Sequence, residues 1–234
     1  MQEYFAKDKK DNKLFLKQDD LYHIKNVMRM KENDEIIVVY EDTSYICNLN
    51  KDLISCNIKE VFKENDSVDN LIIYVPMLPD EKMSFIFKYL TQMGASEFIV
   101  VEYTHCKFKL PKKDYEKKLI RWNKIIKEAS EQSYRTNIPL LEKIISYKDI
   151  ESIGDVNILC SLDNSNVKII CQVLTQDNCN DKISLVFGPE GGLSKEEEDF
   201  LIARNFIKTS LGNTVLRTEI VPVMISSIIK YLKG

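Results

Sequence analysis

The period of the hydrophobic pattern changes once along this chain, and that change limits what each part can fold into. In the first third, the apolar residues fall in short runs over 36–40, 45–49 and 53–62. These runs are rich in β-branched and aromatic side chains and broken by polar turns such as Glu41-Asp42-Thr43. One short amphipathic helix, over 20–30, precedes them. Farther on, apolar strand runs at 71–75, 98–101, 156–162, 183–187 and 206–211 alternate with segments of helical period over 80–94, 112–134, 166–174, 194–204 and 222–232. Such alternation implies an α/β layer with a mainly parallel sheet. The polar stretch 63–70 separates the two patterns and sets an expected boundary near residue 68, between a small β-rich unit over 1–68 and an α/β unit over 69–234. Two helix starts carry their own signals. Ser194 precedes three consecutive glutamates, and Pro222 suits a first helical position. No internal repeat and no low-complexity linker interrupts the chain.

Composition excludes several classes. The 234 residues are 44% hydrophobic and 29% charged, which fits a globular protein of one large or two modest domains. No run approaches the length of a membrane span, and the first twenty residues are too charged for a secretory signal, so a cytoplasmic protein with no membrane partner is expected. The six cysteines form no CxxC pair and only two histidines are present, which argues against a disulfide framework and predicts no metal site. The net charge of −3 is unevenly spread: residues 1–68 hold 11 Lys and Arg against 14 Asp and Glu, whereas 105–135 hold 10 against 4. That basic segment, with Tyr115, Trp122 and Tyr134 interleaved, is either a grip on RNA phosphates or a solvated lysine-rich helix face.

Four of the seven glycines fall between 188 and 212. The first cluster, FGPEGGLS at 187–194, and the second loop, SLGNTVLRTE at 210–219, each follow a strand run and precede a helix. Side by side at strand ends, two such loops make a main-chain pocket of the kind open α/β sheets use for small ligands. The first matches no nucleotide-phosphate motif, and a mere tight turn is its competing reading. Only five arginines stand against 28 lysines, so each arginine marks a place where a planar fork of donors can matter. Arg217, two residues before Glu219, lies inside the second loop, where a structural salt bridge is the competing reading.

Four stretches in order carry a resemblance. HIKNVMRMKEND (23–34) looks like an H-x3-VLR-x4-GD stretch, RWNKIIKEASEQSYRTNIP (121–139) like RW-x-KI-x2-EA-x-EQS-x-R, and FGPEGGLS and LGNTVLRTE like two cofactor loops. Together they resemble the RsmE-type methyltransferases of the SPOUT superfamily, which use S-adenosylmethionine to methylate N3 of one uridine in 16S ribosomal RNA. The resemblance implies a PUA-like RNA-binding β-barrel over 1–68 and a SPOUT α/β methyltransferase domain over 69–234 with a C-terminal trefoil knot. It also implies a homodimer acting on 16S rRNA in the small ribosomal subunit.

Carried over by position, the cofactor pocket comprises Leu159, Cys160, Ser161 and Leu162, then Gly188, Pro189, Glu190 and Gly191, then Leu211, Gly212, Val215 and Leu216. Arg217 takes the role of stabilising the developing uracil anion, with Glu219 or water as proton acceptor. Arg29, Arg121 and Arg135 become the expected RNA contacts, although Arg121, with Glu128 and Gln132 at helical spacing, can equally brace a dimer or a neighbouring loop. His23 is read as structural or RNA-facing. The chain departs from the family pattern at Tyr89, Gln92, Tyr103 and Ile220-Val221, all on the substrate side of the comparison. Two other functions stay open: a ribose 2′-O methyltransferase of the same superfamily, and a non-catalytic ribosome assembly factor.

Overall fold

The computed structural model describes residues 1–64, 70–162 and 167–234. Contacts divide the chain into two units, Met1–Val68 with Glu128–Ile138, and Asp69–Lys127 with Pro139–Gly234. The boundary expected near residue 68 lies outside the described residues. Nothing in the sequence pattern signals that 128–138 groups with the first unit.

The first unit is a closed five-stranded barrel. Strands β1 (Glu3–Lys10) and β2 (Lys13–Leu16) form an antiparallel hairpin, helix α1 (Gln18–Tyr22) follows, and β3 (Glu35–Tyr40), β4 (Thr43–Leu49) and β5 (Ser55–Lys63) complete the set. The order around the barrel is β1-β2-β5-β4-β3, and parallel pairing of β1 with β3 closes it. Strand residues alternate inward, so Tyr4, Leu14, Leu16, Ile36, Val38, Cys47, Leu49 and Cys56 share one core with Ile24. The hairpin β1–β2 was not expected, because five charged residues in EYFAKDKK mask its period of two. The helix expected over 20–30 begins at Gln18 and widens into a single π-type turn over His23–Val27. Arg29 then takes left-handed backbone (φ 55°), and the Met30 N–H donates to the Ile24 carbonyl at 3.0 Å, which ends the helix as a glycine usually would.

In the second unit, β6 (Leu71–Pro76), α2 (Asp80–Gln92), β7 (Ala95–Glu102), α3 (Tyr115–Gln132) and β8 (Ile144–Ser146) come first. They are followed by β9 (Val156–Cys160), β10 (Lys168–Ile169), α4 (Ile170–Val173), β11 (Ile183–Phe187), α5 (Lys195–Ile202), β12 (Ile207–Ser210) and α6 (Val221–Lys233). The seven strands are all parallel, in the order β10-β12-β9-β11-β6-β7-β8. Every residue of β6 and β11 is buried, as a sheet covered on both faces requires. Helix α2 buries Met83, Ile86, Phe87 and Leu90, one stripe at helical spacing, and the Phe87 ring lies 5.1 Å from that of Phe98 on β7 and 5.4 Å from that of Trp122. The helix expected over 166–174 is a single turn, Ile170–Val173, preceded by a two-residue strand; its expected first residue, Asn166, lies outside the described residues. No helix among the described residues is long and apolar enough to cross a membrane.

The strand order positions the site. Because β12, β9 and β11 are neighbours and parallel, their carboxyl ends open side by side, and the loops that follow them converge.

Candidate active site

Three loops enclose a cavity of about 650 Å³. One wall is Cys160, Ser161 and Leu162 after β9, the second is the stretch 187–193 after β11, and the third is 210–218 after β12. Four of the lining residues are glycines, 188, 191, 192 and 212, where no side chain stands in front of the main chain. A side chain at Gly188 would meet the Leu193 backbone nitrogen at 3.0 Å, so any larger residue there would push against the fold-back of the first loop. Gly212 holds φ at 115°, in a region that side chains resist, and faces open space where a ligand can approach the main chain.

Eleven of the twelve residues expected to bind cofactor line this one cavity: Cys160, Ser161, Leu162, Gly188, Pro189, Glu190, Gly191, Leu211, Gly212, Val215 and Leu216. Leu159 does not; it is fully buried within β9, one residue short of the strand end. Burial pushes the Cys160 thiol up to about 12, so it stays neutral and offers the cavity an apolar contact rather than a nucleophile.

Charged groups that the sequence reading missed also reach the cavity. Lys82, in the first turn of α2, places its Nζ 2.7 Å from Glu190 Oε1 and 3.1 Å from Glu219 Oε2. One ammonium therefore ties the first glycine loop to the second. Burial acts to raise the Glu219 carboxyl, but its own backbone N–H, Lys82 and the Arg217 charge together hold it below the ordinary carboxylate value. Arg217 itself lines the cavity, is exposed, and makes no ion pair among the described residues. Glu198 on α5 also faces the cavity, paired with Lys208 on β12. Lys82 stands six residues after the end of β6 with no glycine or aromatic neighbour to mark it. Glu198 is the third of three glutamates, and only the helix register separates it from the others.

The first glycine loop is braced from below. Ser194 Oγ accepts from the Glu197 N–H at 3.3 Å, and Glu197 Oε2 accepts from the Ser194 N–H at 2.7 Å, the reciprocal cap expected from the sequence. Glu197 Oε1 also accepts from the Thr104 N–H at 2.6 Å, joining the loop after β7 to the start of α5.

The expected RNA contacts separate. Arg29 is exposed on the first unit. Arg121 is 55% exposed and donates to Asp80 at 3.0 Å, sharing that carboxylate with Lys118. Arg135 is 8% exposed and its guanidinium donates to the Asn137 side chain at 2.6 Å and to the Asn137 carbonyl, which makes it a brace of the first unit rather than a surface contact. His23 hydrogen-bonds the Tyr4 hydroxyl through Nδ1 at 2.9 Å.

The family model of an RNA methyltransferase domain matches residues 64–230, and that of an RNA methyltransferase PUA domain matches 16–59. The chain belongs to the RNA methyltransferase family. Ribosomal RNA small subunit methyltransferase E of Bacillus subtilis is 31% identical over 91% of this chain and 88% of its own length. The Aquifex aeolicus protein of the same name is 28% identical over 98% and 99%. Among solved structures, a protein described as hypothetical shares 28% identity and a TM-score of 0.86, covering 100% of this chain and 99% of its own. The Neisseria gonorrhoeae ribosomal RNA small subunit methyltransferase E, solved bound to S-adenosyl methionine, has the same fold at 22% identity, with a TM-score of 0.86 and coverage of 99% and 98%. In this family member, then, a closed barrel and a seven-stranded parallel sheet are the PUA and methyltransferase modules.

Proposed function

We propose that this protein methylates N3 of one uridine in 16S ribosomal RNA of the small subunit, using S-adenosylmethionine, as a cytoplasmic homodimer whose C-terminal loops form a trefoil knot. The observation that carries this reading is the cavity itself: three loops at adjacent strand ends, four glycines among their lining residues, and an exposed arginine at one wall. Its size falls within the ~300–1,000 Å³ usual for small-ligand pockets. Its donor set suits the cofactor: main chain and aliphatic side chains for an adenine and a thioether tail, and carboxylates for hydroxyl and amino donors.

Bound S-adenosylmethionine supplies an electrophilic methyl, which passes from sulfur to N3 as the carbon–sulfur bond breaks. The protein has to hold the uracil in line and support it as it loses the N3 proton. Arg217 stabilises the developing imide anion. Glu219, kept ionised, accepts the N3–H hydrogen bond and orients the ring; a carboxyl held low is a weak base, so the proton passes on to water. Arg29 and Arg121 contact RNA phosphates, and the basic stretch around Arg121 extends that grip.

The test is methyl transfer from labelled S-adenosylmethionine to small subunits lacking uridine-N3 methylation, read by nucleoside mass spectrometry. A single 3-methyluridine is expected, and a ribose-methylated product would instead select the 2′-O reading. Arg217→Ala should keep cofactor affinity and lower turnover about 10²–10³-fold. An equal loss of both would make Arg217 structural.

A further inference from the structure

Glu198 is a charged residue in an unusual place. It is 7% exposed, yet it lines the cavity. Its Oε1 accepts from Ser161 Oγ, and its Oε2 lies 3.2 Å from Lys208 Nζ, a lysine that is itself 8% exposed. The three residues come from the end of β9, the first turn of α5 and the middle of β12, all around the same opening. A buried ion pair contributes little net stability, since desolvating both charges offsets most of their attraction. Its presence at a cavity wall points to a ligand.

We infer that Glu198 is the hydroxyl-recognising group of the cavity, reading the ribose of the nucleoside half of the cofactor. The pair with Lys208 settles which donor it takes. With the ammonium alongside, the carboxylate's own charge is largely offset, so it has less to offer a second full cation such as an amino-acid ammonium. What it keeps is lone pairs: a carboxylate has about four acceptor positions, and the contacts here occupy one on each oxygen. A vicinal diol presents two neutral donors at the spacing of two carboxylate oxygens. Ser161 and Lys208 fix the carboxylate plane, so it is oriented before the ligand arrives and loses little freedom on binding. Selectivity follows from burial. A ligand lacking a hydroxyl leaves a desolvated carboxylate oxygen facing no donor, a cost that water cannot relieve in a filled pocket.

This inference rests on the cofactor reading above, and binding rather than turnover tests it. S-adenosylhomocysteine, its 2′-deoxy and 3′-deoxy analogues and S-inosylhomocysteine are titrated calorimetrically into the full chain. Loss of one ribose hydroxyl should weaken binding to the natural protein about 10- to 100-fold. In Glu198→Gln combined with Lys208→Met, which removes both charges together, ribo and deoxy forms should bind within about threefold of each other. Ser161→Ala, a smaller change that leaves the ion pair, should reduce the discrimination by a few-fold and serves if the double variant does not fold. Equal binding of ribo and deoxy forms to the natural protein overturns the assignment while leaving the cofactor reading standing. So does undiminished discrimination in the variants, or a variant effect seen only against the inosyl form, which would mean the carboxylate reads the adenine amine. No binding of any of the four to the natural protein defeats the cofactor reading and this assignment with it.

Discussion

At the scale of single residues, the cavity depends on charges held in place by neighbours far along the chain. Lys82 reaches Glu190 and Glu219 from a helix outside both glycine loops. Replacing it with Met removes the ammonium between two carboxylates, so Glu219 should lose its orientation and its carboxyl value should rise, with only its own backbone N–H and Arg217 left to lower it. Turnover should fall about tenfold with the cofactor dissociation constant changed less than about threefold, and Lys82→Arg should restore most of the activity; steady-state kinetics beside calorimetry distinguishes the two effects. A second residue, in the barrel, sets a pH dependence. Glu3 is 3% exposed with neither carboxylate oxygen hydrogen-bonded among the described residues. Burial, with Glu131 adding to it and Lys63 opposing, raises its carboxyl to about 8. The folded chain thus keeps a proton that the unfolded chain releases near 4.5, and stability falls as pH rises between those values. Glu3→Gln should leave the melting temperature unchanged at pH 5 and raise it by about 3–6 °C at pH 8.5, followed by circular dichroism. Arg217 and the glycine-loop residues were legible because scarce residue types clustered there. Lys82 and Glu198 were not, since each is one lysine or glutamate among many and only the folded neighbourhood singles it out.

At the scale of elements, the clearest sequence signals were those with local causes. The Ser194–Glu197 cap forms within four residues, and the structure adds only that Glu197 also holds the Thr104 backbone. Ser194→Ala should lower stability by about 1 kcal/mol, and by freeing Glu197 it should also weaken cofactor binding a few-fold, measured by denaturant titration and calorimetry on one sample. The fully buried strands β6 and β11 were read for the same reason, their apolar runs being unbroken. The β1–β2 hairpin escaped because its outward face is charged and the barrel needs only a few inward residues from it. The ending of α1 escaped as well, since Arg29 occupies the left-handed position that a glycine would have signalled.

At the scale of the whole molecule, the division into a β-rich and an α/β part was legible from the change of period. The strand order was not, because no local pattern says that β11 inserts between β6 and β9. Net charge was equally uninformative: a chain of −3 can bind RNA only through local patches. Binding of 16S rRNA fragments should weaken steeply with salt. In filter-binding measurements, Arg29→Ala and Arg121→Ala should each reduce the log–log slope by about 1, whereas Arg135→Ala should lower stability and leave the slope alone. The strand order also decides when, during synthesis, a working site can exist. Strand β12 and its loop are translated after the other two walls, yet they form the third wall beside β9, a strand made some fifty residues earlier. A nascent chain that stalls or is cut before that loop lacks one of the three walls, so this fold completes its cofactor pocket only once β12 and the loop after it have been made.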